Sequence, residues 1–357
     1  MKLWLMGALT SSLLSLQQVY FHAWGGSDEV NQYLRWSAQQ LRAEGIDLVH
    51  VKVADISETV ALLLRENAHQ QAAGAVDLLW LNGENFHALK AAGALRGELS
   101  AAVPNSVLLD PTLGWQDDFG IATDDFELPW GVGQFHLLVR GQQPERMSPA
   151  QFLTAASSNP GRLSYPKPPE FHGTTFLKLL LLELNDHHPA LYEAPKATQQ
   201  EQLLAPLWAY LEQLHPLLWR AGRQFPVSAA QQQQLLAQGV LDNAVSFNPG
   251  ELASAQRAQR LPTTIRPLLI GQRAITNSHY LAVPTTAANA DAALQVINFM
   301  LSETAQQRKQ AADGWGDTSV IRWSNEATRA ALFPAQPEPH VGWVKLIEQQ
   351  WLARYQQ

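Results

Sequence analysis

Three tryptophans stand beside glycine in predicted turns near strand ends, where their rings could bind a solute. They are Trp24, Trp130 and Trp315. An aromatic face in a cleft binds cations through cation–π contacts and flat heterocycles by stacking. Core packing is the alternative, and it accounts for most tryptophans in folded proteins. We expect at least one of the three to contact a solute.

Carboxylates near predicted strand ends could bind a cationic group. Asp55 ends the second predicted strand and Glu84 follows the third, while Asp124, Asp125 and Glu127 lie near a predicted crossover. Two of them facing one cleft would favour a cationic solute. Helix capping explains Asp55 and Glu84 as simply, and solvation is favoured for Asp124 and Asp125. The sequence does not fix the carboxylate separation that a glycosidase needs, so glycoside hydrolysis is not favoured.

Neutral residues are predicted along the rims of two α/β lobes, where they would orient a small polar molecule by hydrogen bonds. On the first lobe they are Gly25, Asn82 and Asn85. On the second lobe they are Tyr165, His172, Thr174, Ser246 and Asn248. Turn and cap chemistry explains the second set equally well.

Other chemistries have little support. His187 follows Glu183 by four residues on a predicted helix and His188 is adjacent, but Pro189 ends that helix, so a solvated helix end is favoured over a metal site. The chain has no cysteine, no GxSxG motif and no glycine-rich nucleotide motif. We predict no catalytic residue, no metal and no cofactor.

The stretch from Val76 to Lys90 organises the elements that position these residues. Its run from Val76 to Leu81 is apolar apart from Asp77, which is typical of a strand buried on both faces. A helix is predicted from Glu84 to Ala92, with Asn82 as its cap. Two similar units precede it, with strands at 19–26 and 46–56; their helices are predicted at about 28–44 and, after a cap at Ser57, as far as about residue 69. Three such units predict a parallel sheet with ligands at the carboxyl ends of its strands.

Two later stretches are predicted to cross between lobes. The run 126–140 resumes a strand pattern around Pro129, which restricts the backbone on both sides. The run 266–284 is extended and returns to the first lobe. Other predicted elements are a strand at 162–165, a helix at 171–184 and a final helix at about 341–355.

Composition and the N-terminus favour an exported globular protein. The chain has 357 residues, 46% of them hydrophobic and 16% charged, with a net charge of −7. No basic run stands out, so nucleic-acid binding is not expected. Lys2 precedes an apolar run of signal-peptide length. We predict a signal peptide over residues 1–18 and a periplasmic location, with a buried amphipathic helix as the alternative.

Seven motifs in order make the chain resemble an uncharacterised bacterial family of periplasmic solute-binding proteins. They are HAWGG, VKVADISETV, VDLLWLNGENF, LPWGVGQF, SYPKPPEFHGTTFL, VSFNPGE and DGWGD, and the resemblance runs from about residue 19 to the C-terminus. The family has the type II fold and lies near the thiamine, polyamine and ferric-iron binders. The resemblance implies an α/β protein whose two lobes are joined by crossover strands and close on a solute. The ferric-iron branch often uses paired tyrosines, whereas this chain has no adjacent tyrosine pair.

The resemblance and the lobe pattern together predict the solute-binding subunit of an ABC importer. We expect a monomer that captures a small solute by hinge closure and delivers it to a permease and ATPase. The lobes are predicted at 19–126 with 275–357, and at 127–274. A thiamine-like or polyamine-like cation is the solute hypothesis. The alternatives are an exported α/β enzyme acting in the cleft and a ligand sensor that works without a transporter.

Overall fold

Two larger β-sheets flanked by helices, and a small two-stranded sheet at 117–122, form the described part of the protein. The computed structural model describes residues 16–53, 55–81, 83–311, 313–323 and 332–355. The strands are β1 Gln17–Trp24, β2 Ile46–Val53, β3 Leu78–Leu81, β4 Asp117–Asp118, β5 Ile121–Ala122, β6 Leu128–Gln134, β7 His136–Arg140, β8 Arg146–Met147, β9 Asn243–Ser246, β10 Ile265–Ile270, β11 Ala274–Ala282 and β12 Ala335–Gln336. The helices are α1 Asp28–Arg42, α2 Ser57–Ala68, α3 Gly83–Ala91, α4 Leu99–Ala102, α5 Pro149–Ser158, α6 Phe171–Leu184, α7 Ala197–Leu214, α8 Ala229–Ala237, α9 Glu251–Arg257, α10 Ala290–Met300, α11 Glu303–Gln310 and α12 Val341–Tyr355. None of these helices is both long and apolar enough to cross a membrane.

The first sheet is built around three parallel strands, which confirms the prediction of three strand–helix units. β1 pairs in parallel with β2 and with β3. The strand order is β12-β11-β3-β1-β2, and β6 pairs with β11. Leu78 and Leu79 belong to different hydrophobic clusters because successive side chains of a strand point to opposite faces. The strand therefore has helices and core on both faces, as its apolar run predicts.

Two pairs of strands carry the chain between the sheets. β6 pairs with β11 in the first sheet, and β7 follows one residue later and pairs with β9 and β10 in the second. β10 and β11 make the return crossing after three residues. Both predicted crossovers, at 126–140 and 266–284, are confirmed. As a result, β11 is a strand of the first sheet and also forms part of the connection between the lobes.

The second sheet, of order β8-β10-β7-β9, packs against a large helical core. α6 buries every residue from Gly173 to Leu182, because leucines lie all round the helix and the one charged side chain, Lys178, pairs with the buried Glu338. α12 packs against α6 and buries Trp343, Ile347 and Trp351 in the same cluster. The lobe bounds stay a prediction, and we propose from this packing that residues 341–355 belong with the second lobe.

Two predictions of local structure are wrong. No strand forms at 162–165, because side chains take the place of a neighbouring strand: the backbone N–H of Ser164 donates to Asn243 Oδ1 at 2.9 Å, and its carbonyl accepts from Asn243 Nδ2 at 2.8 Å. Ser57 does not cap α2 but is its first residue, and its N–H donates to Asp55 Oδ1 at 2.8 Å. The predicted signal peptide lies mostly in residues 1–15, outside the described residues.

Candidate functional site

A cavity of about 510 Å³ lies against the strands that cross between the lobes. Its walls come from residues 112–114 and 117–120 of the first lobe, from residues 276–278 of β11, from residues 335–338, and from Tyr192 after α6. The volume is in the range of small-molecule sites. The cavity therefore combines elements of both lobes with their connection.

Among the described residues, three carboxylates and no lysine or arginine line the cavity. Asp117 is exposed, whereas Asp118 and Glu338 are buried. Asp118 accepts a hydrogen bond from the backbone N–H of Gly83, the first residue of α3. Burial raises the pKa of Asp118 to about 8, and the neighbouring Glu338 and Asp117 add to the effect of burial, although the bond from Gly83 opposes it.

A fourth carboxylate, Glu127, lies close enough to influence Asp118. It is completely buried, and neither carboxylate oxygen has a hydrogen-bond partner in the described part of the chain. Burial raises the pKa of Glu127 well above its usual range, Asp118 raises it further, and Lys90 opposes the shift. Both carboxyl groups thus favour the protonated form when the cavity holds no cation.

One lysine reaches this region from the second lobe. Lys178 Nζ lies 2.7 Å from Glu338 Oε2 and 5.0 Å from the ring centroid of Phe119. It also lies 5.6 Å from the ring of Phe171. Aromatic rings beside a carboxylate form a favourable environment for an ammonium group. Glu338 is therefore partly neutralised within the protein, while Asp117 and Asp118 are not paired with a base in the described structure.

Asn277 and Gln336 place amide groups at the cavity. Asn277 is 5% exposed and Gln336 is 3% exposed. Neither amide has a hydrogen-bond partner for its oxygen or its nitrogen among the described residues. Buried polar groups are nearly always hydrogen-bonded in proteins, so these two side chains stand out.

An aromatic cluster lies on the β11 side of the first sheet. The Trp130 and Trp315 rings are 5.2 Å apart, and Trp80 lies 5.2 Å from Trp130 and 5.4 Å from Trp315. His279 stacks on Trp315 at 5.9 Å, and its Nε2 is 3.4 Å from Asp317 Oδ1. The structure therefore brings together two of the three tryptophans that the sequence analysis selected, but Trp130 is completely buried.

The other residues of the first lobe that were predicted to contact a solute lie at or after the ends of β1, β2 and β3. Trp24 is 45% exposed, and Gly25 donates its N–H to the carbonyl of Val53 at 3.2 Å. Asp55 is exposed and Asn85 is half-buried. Asn82 and the side chain of Glu84 lie outside what the structure describes.

The predicted contacts of the second lobe mostly have partners within the protein. Tyr165 is completely buried, bonds to His215 at 2.6 Å and accepts from Trp351 Nε1 at 2.8 Å. His172 bonds to Glu170 at 2.9 Å, and Thr174 donates to Glu348 at 2.7 Å. Ser246 donates to the carbonyl of Asn248 at 3.2 Å, and Asn248 Oδ1 accepts the N–H of Gly250 at 2.8 Å. The bonds of His172, Ser246 and Asn248 are local cap and turn contacts, as the alternative to ligand binding predicts, whereas Tyr165 and Thr174 bond to residues far along the chain.

No predicted contact that the structure describes is among the residues lining the cavity. The polar cavity residues that the sequence did not indicate include Asp117, Asp118, Asn277, Gln336 and Glu338. Asp118 falls in a segment without clear periodicity, and Gln336 and Glu338 alternate with prolines, so neither stretch signals a site. Asn277 lies in a predicted crossover strand, and this position between the lobes was the one feature of the sequence that could have indicated a cavity residue.

Two α/β lobes, joined by crossing strands and bordering a polar cavity, define the class of two-lobed solute-binding proteins with the type II fold. Residues 38–322 match the family of bacterial extracellular solute-binding proteins, and the chain belongs to this family. It is 38% identical over 354 residues to protein YnjB of Escherichia coli strain K12, with 95% of this chain and 91% of that protein covered.

Solved structures with low sequence identity share the fold. A putative extracellular solute-binding protein from Bordetella parapertussis matches with a TM-score of 0.71 at 14% identity. The spermidine/putrescine ABC transporter substrate-binding protein PotD from Streptococcus pneumoniae matches with a TM-score of 0.68 at 14% identity. The apo ferric ion-binding protein A from Pasteurella haemolytica matches with a TM-score of 0.68 at 10% identity. Each match covers 95% of this chain and 98% of the other. The predicted fold class and family resemblance are confirmed.

Proposed function

We propose that this chain is the periplasmic subunit of an ABC importer and that it captures a small cationic solute, thiamine-like or polyamine-like, in the cavity beside the crossover strands. The observation that carries the proposal is the lining: among the described residues it has three carboxylates, and only Glu338 is paired with a base, the ammonium of Lys178. Carboxylates in a concave, poorly hydrated site attract cations more strongly than they do in water.

Hinge closure is the proposed mechanism. The cavity has walls from the first-lobe loop at 117–120 and from Tyr192 of the second lobe, and β11 forms part of both the wall and the connection. A solute that contacts both lobes binds the closed state better than the open state, and it shifts the population by that difference in affinity. In this proposal the closed lobes then present their joint surface to a permease and its ATPase, and the protein works as a monomer.

Calorimetry with two probes tests the solute class. We expect putrescine or thiamine to bind the purified protein at pH 7.5, and Asp118→Asn to lower that affinity at least tenfold, which is about 1.4 kcal/mol. Glu201→Gln, an exposed carboxylate change on α7, should leave the affinity unchanged. If neither probe gives heat or a thermal shift, the cationic-solute proposal is wrong.

An exported α/β enzyme is the second candidate, and one observation favours it. Asp118 lines the cavity with its pKa raised to about 8, mainly by burial, and a carboxyl group protonated at neutral pH has the property of a general acid. Mass spectrometry of a bound probe after prolonged incubation separates the two functions. A binding protein should release the probe unchanged, whereas an enzyme should convert it to a product of different mass.

A further inference from the structure

Asn277 and Gln336 lie on neighbouring strands at the cavity, with their backbones already held in the sheet. Asn277 pairs with Gly133 through the β6–β11 ladder, and Gln336 pairs with Ile275 through the β11–β12 ladder. Their side-chain amides take no part in these ladders. The four amide oxygen and nitrogen atoms also have no other hydrogen-bond partner in the described ranges. The amides are therefore not needed to hold the strands.

Buried amides elsewhere in this protein are bonded within the fold. Asn243 bonds to Ser164 through both its oxygen and its nitrogen, at 2.9 and 2.8 Å. Gln306 donates to the carbonyls of Trp130 and Met300 at 3.0 and 2.8 Å. A buried polar group without a partner destabilises the folded protein, so it is retained where another molecule supplies the partner. Asn277 and Gln336 differ from Asn243 and Gln306 in lining a cavity large enough for a small molecule.

An amide recognises a particular kind of group. Each carboxamide offers two N–H donors and one carbonyl acceptor, and it carries no charge. It therefore matches a hydroxyl, an amide or an aminopyrimidine edge better than it matches an ammonium group, which only donates. The carboxylates of Asp117 and Asp118 in the same cavity suit the ammonium or thiazolium part of a solute.

We propose that the solute carries a neutral hydrogen-bonding group in addition to its cation, and that Asn277 and Gln336 are the residues that select it. This inference rests on the proposed function, because it divides the cationic solutes into two groups. Thiamine, with a hydroxyl and an aminopyrimidine, has such groups. Putrescine has two ammonium groups and no neutral group, so the inference places it among the weaker ligands.

Matched probes and near-isosteric variants test this selection. Calorimetry compares thiamine with putrescine, and glucosamine with cyclohexylamine, which has a six-membered ring without hydroxyls. We expect at least one hydroxylated amine to bind tenfold or more tightly than its unsubstituted counterpart. Asn277→Leu and Gln336→Met should each reduce that ratio to less than threefold. If putrescine or cyclohexylamine binds and neither thiamine nor glucosamine binds more tightly than the probe it is compared with, the inference is wrong and the cationic-solute proposal stands.

The stability of the ligand-free variants supplies a test that requires no ligand. Asn277→Leu and Gln336→Met should raise the unfolding midpoint by about 1–3 °C, because each removes an unpartnered buried group. The matched controls Asn243→Leu and Gln306→Met should lower it, since their amides are bonded within the fold. If the cavity variants lower the midpoint as the controls do, the two amides are structural and the inference is wrong. That result is separate from a failure of all four probes, which would count against the cationic solute itself.

Discussion

The ammonium group of Lys178 lies 2.7 Å from a carboxylate oxygen of Glu338, with both side chains almost completely buried. Lys178 lies on α6 in the helical core that packs against the second sheet, whereas Glu338 follows β12 at the cavity wall. The pair thus links the helical core of the second lobe to the segment that borders the candidate site. Removing one member of such a buried pair destabilises the protein more than removing both, because the remaining charge then has no partner.

Replacing Lys178 tests the energetic coupling of this pair. We expect Lys178→Met to lower the free energy of unfolding by about 3–5 kcal/mol, and the double variant Lys178→Met/Glu338→Gln to recover most of it. Urea unfolding measures both. Lys196→Met is the control, because its partner Glu193 is exposed and the change should be within about 0.5 kcal/mol. A double variant no more stable than the single one would show that the charges are not coupled.

The ionisation of the buried Asp118 carboxyl group should make the stability of the protein depend on pH. Burial raises its pKa to about 8, compared with 3.8 for an ordinary aspartate. The folded protein therefore favours the protonated carboxyl, so this contribution to stability is complete below about pH 4 and is lost as the pH rises towards 8. Asp118→Asn cannot ionise, so its melting temperature should exceed that of the wild type by a few degrees more at pH 8.5 than at pH 5.

Parallel pH profiles for wild type and Asp118→Asn would contradict that assignment. Glu201→Gln, an exposed change, should run parallel to the wild type throughout. Glu127 keeps its own raised pKa in Asp118→Asn, so some loss of stability with rising pH should remain in that variant.

Tyr165 distinguishes a core role from a ligand-binding role. Its hydroxyl accepts from Trp351 and bonds to His215, whose pKa is lowered by burial to about 4, so that the imidazole is neutral at pH 7. Tyr165→Phe should cost about 1–3 kcal/mol of stability, because both partners lose a buried bond. It should not change the affinity for a bound probe. Tyr20→Phe, which removes an exposed hydroxyl, is the stability control.

A contact between loops of the two lobes can be disturbed at Gly250. A Cβ added there would collide with the carbonyl oxygen of Gly316, a backbone atom that cannot rotate away. We expect Gly250→Ala to separate the loops, to raise the radius of gyration in small-angle scattering and to weaken probe binding severalfold, because the closed state becomes less populated. Arg257→Ala, an exposed change on the same helix, should have neither effect. An unchanged radius would place this contact outside the closure motion.

Much of the fold follows from local patterns in the sequence. The apolar run before Leu81 predicts a strand buried on both faces, and the structure has helices on both sides of it. The helix predicted at 171–184 forms with those bounds, and the final helix forms from Val341 to Tyr355. The region 162–165 was not predictable from its own residues, because the amide of Asn243, far along the chain, satisfies its backbone.

The sequence alone determined the strand–helix order, the two crossings and the family, because these depend on periodicity, punctuation by glycine and proline, and motifs in a fixed order. Only the tertiary structure decided which polar residues meet at the cavity. Asp118, Asn277 and Glu338 are far apart in the chain and come from the short strand β4, a crossover strand and a proline-rich segment. Their shared environment arises from the return of the chain through β11 and β12 beside β3. That return also buries them together, and burial gives Asp118 its raised pKa and leaves the amide of Asn277 facing the cavity.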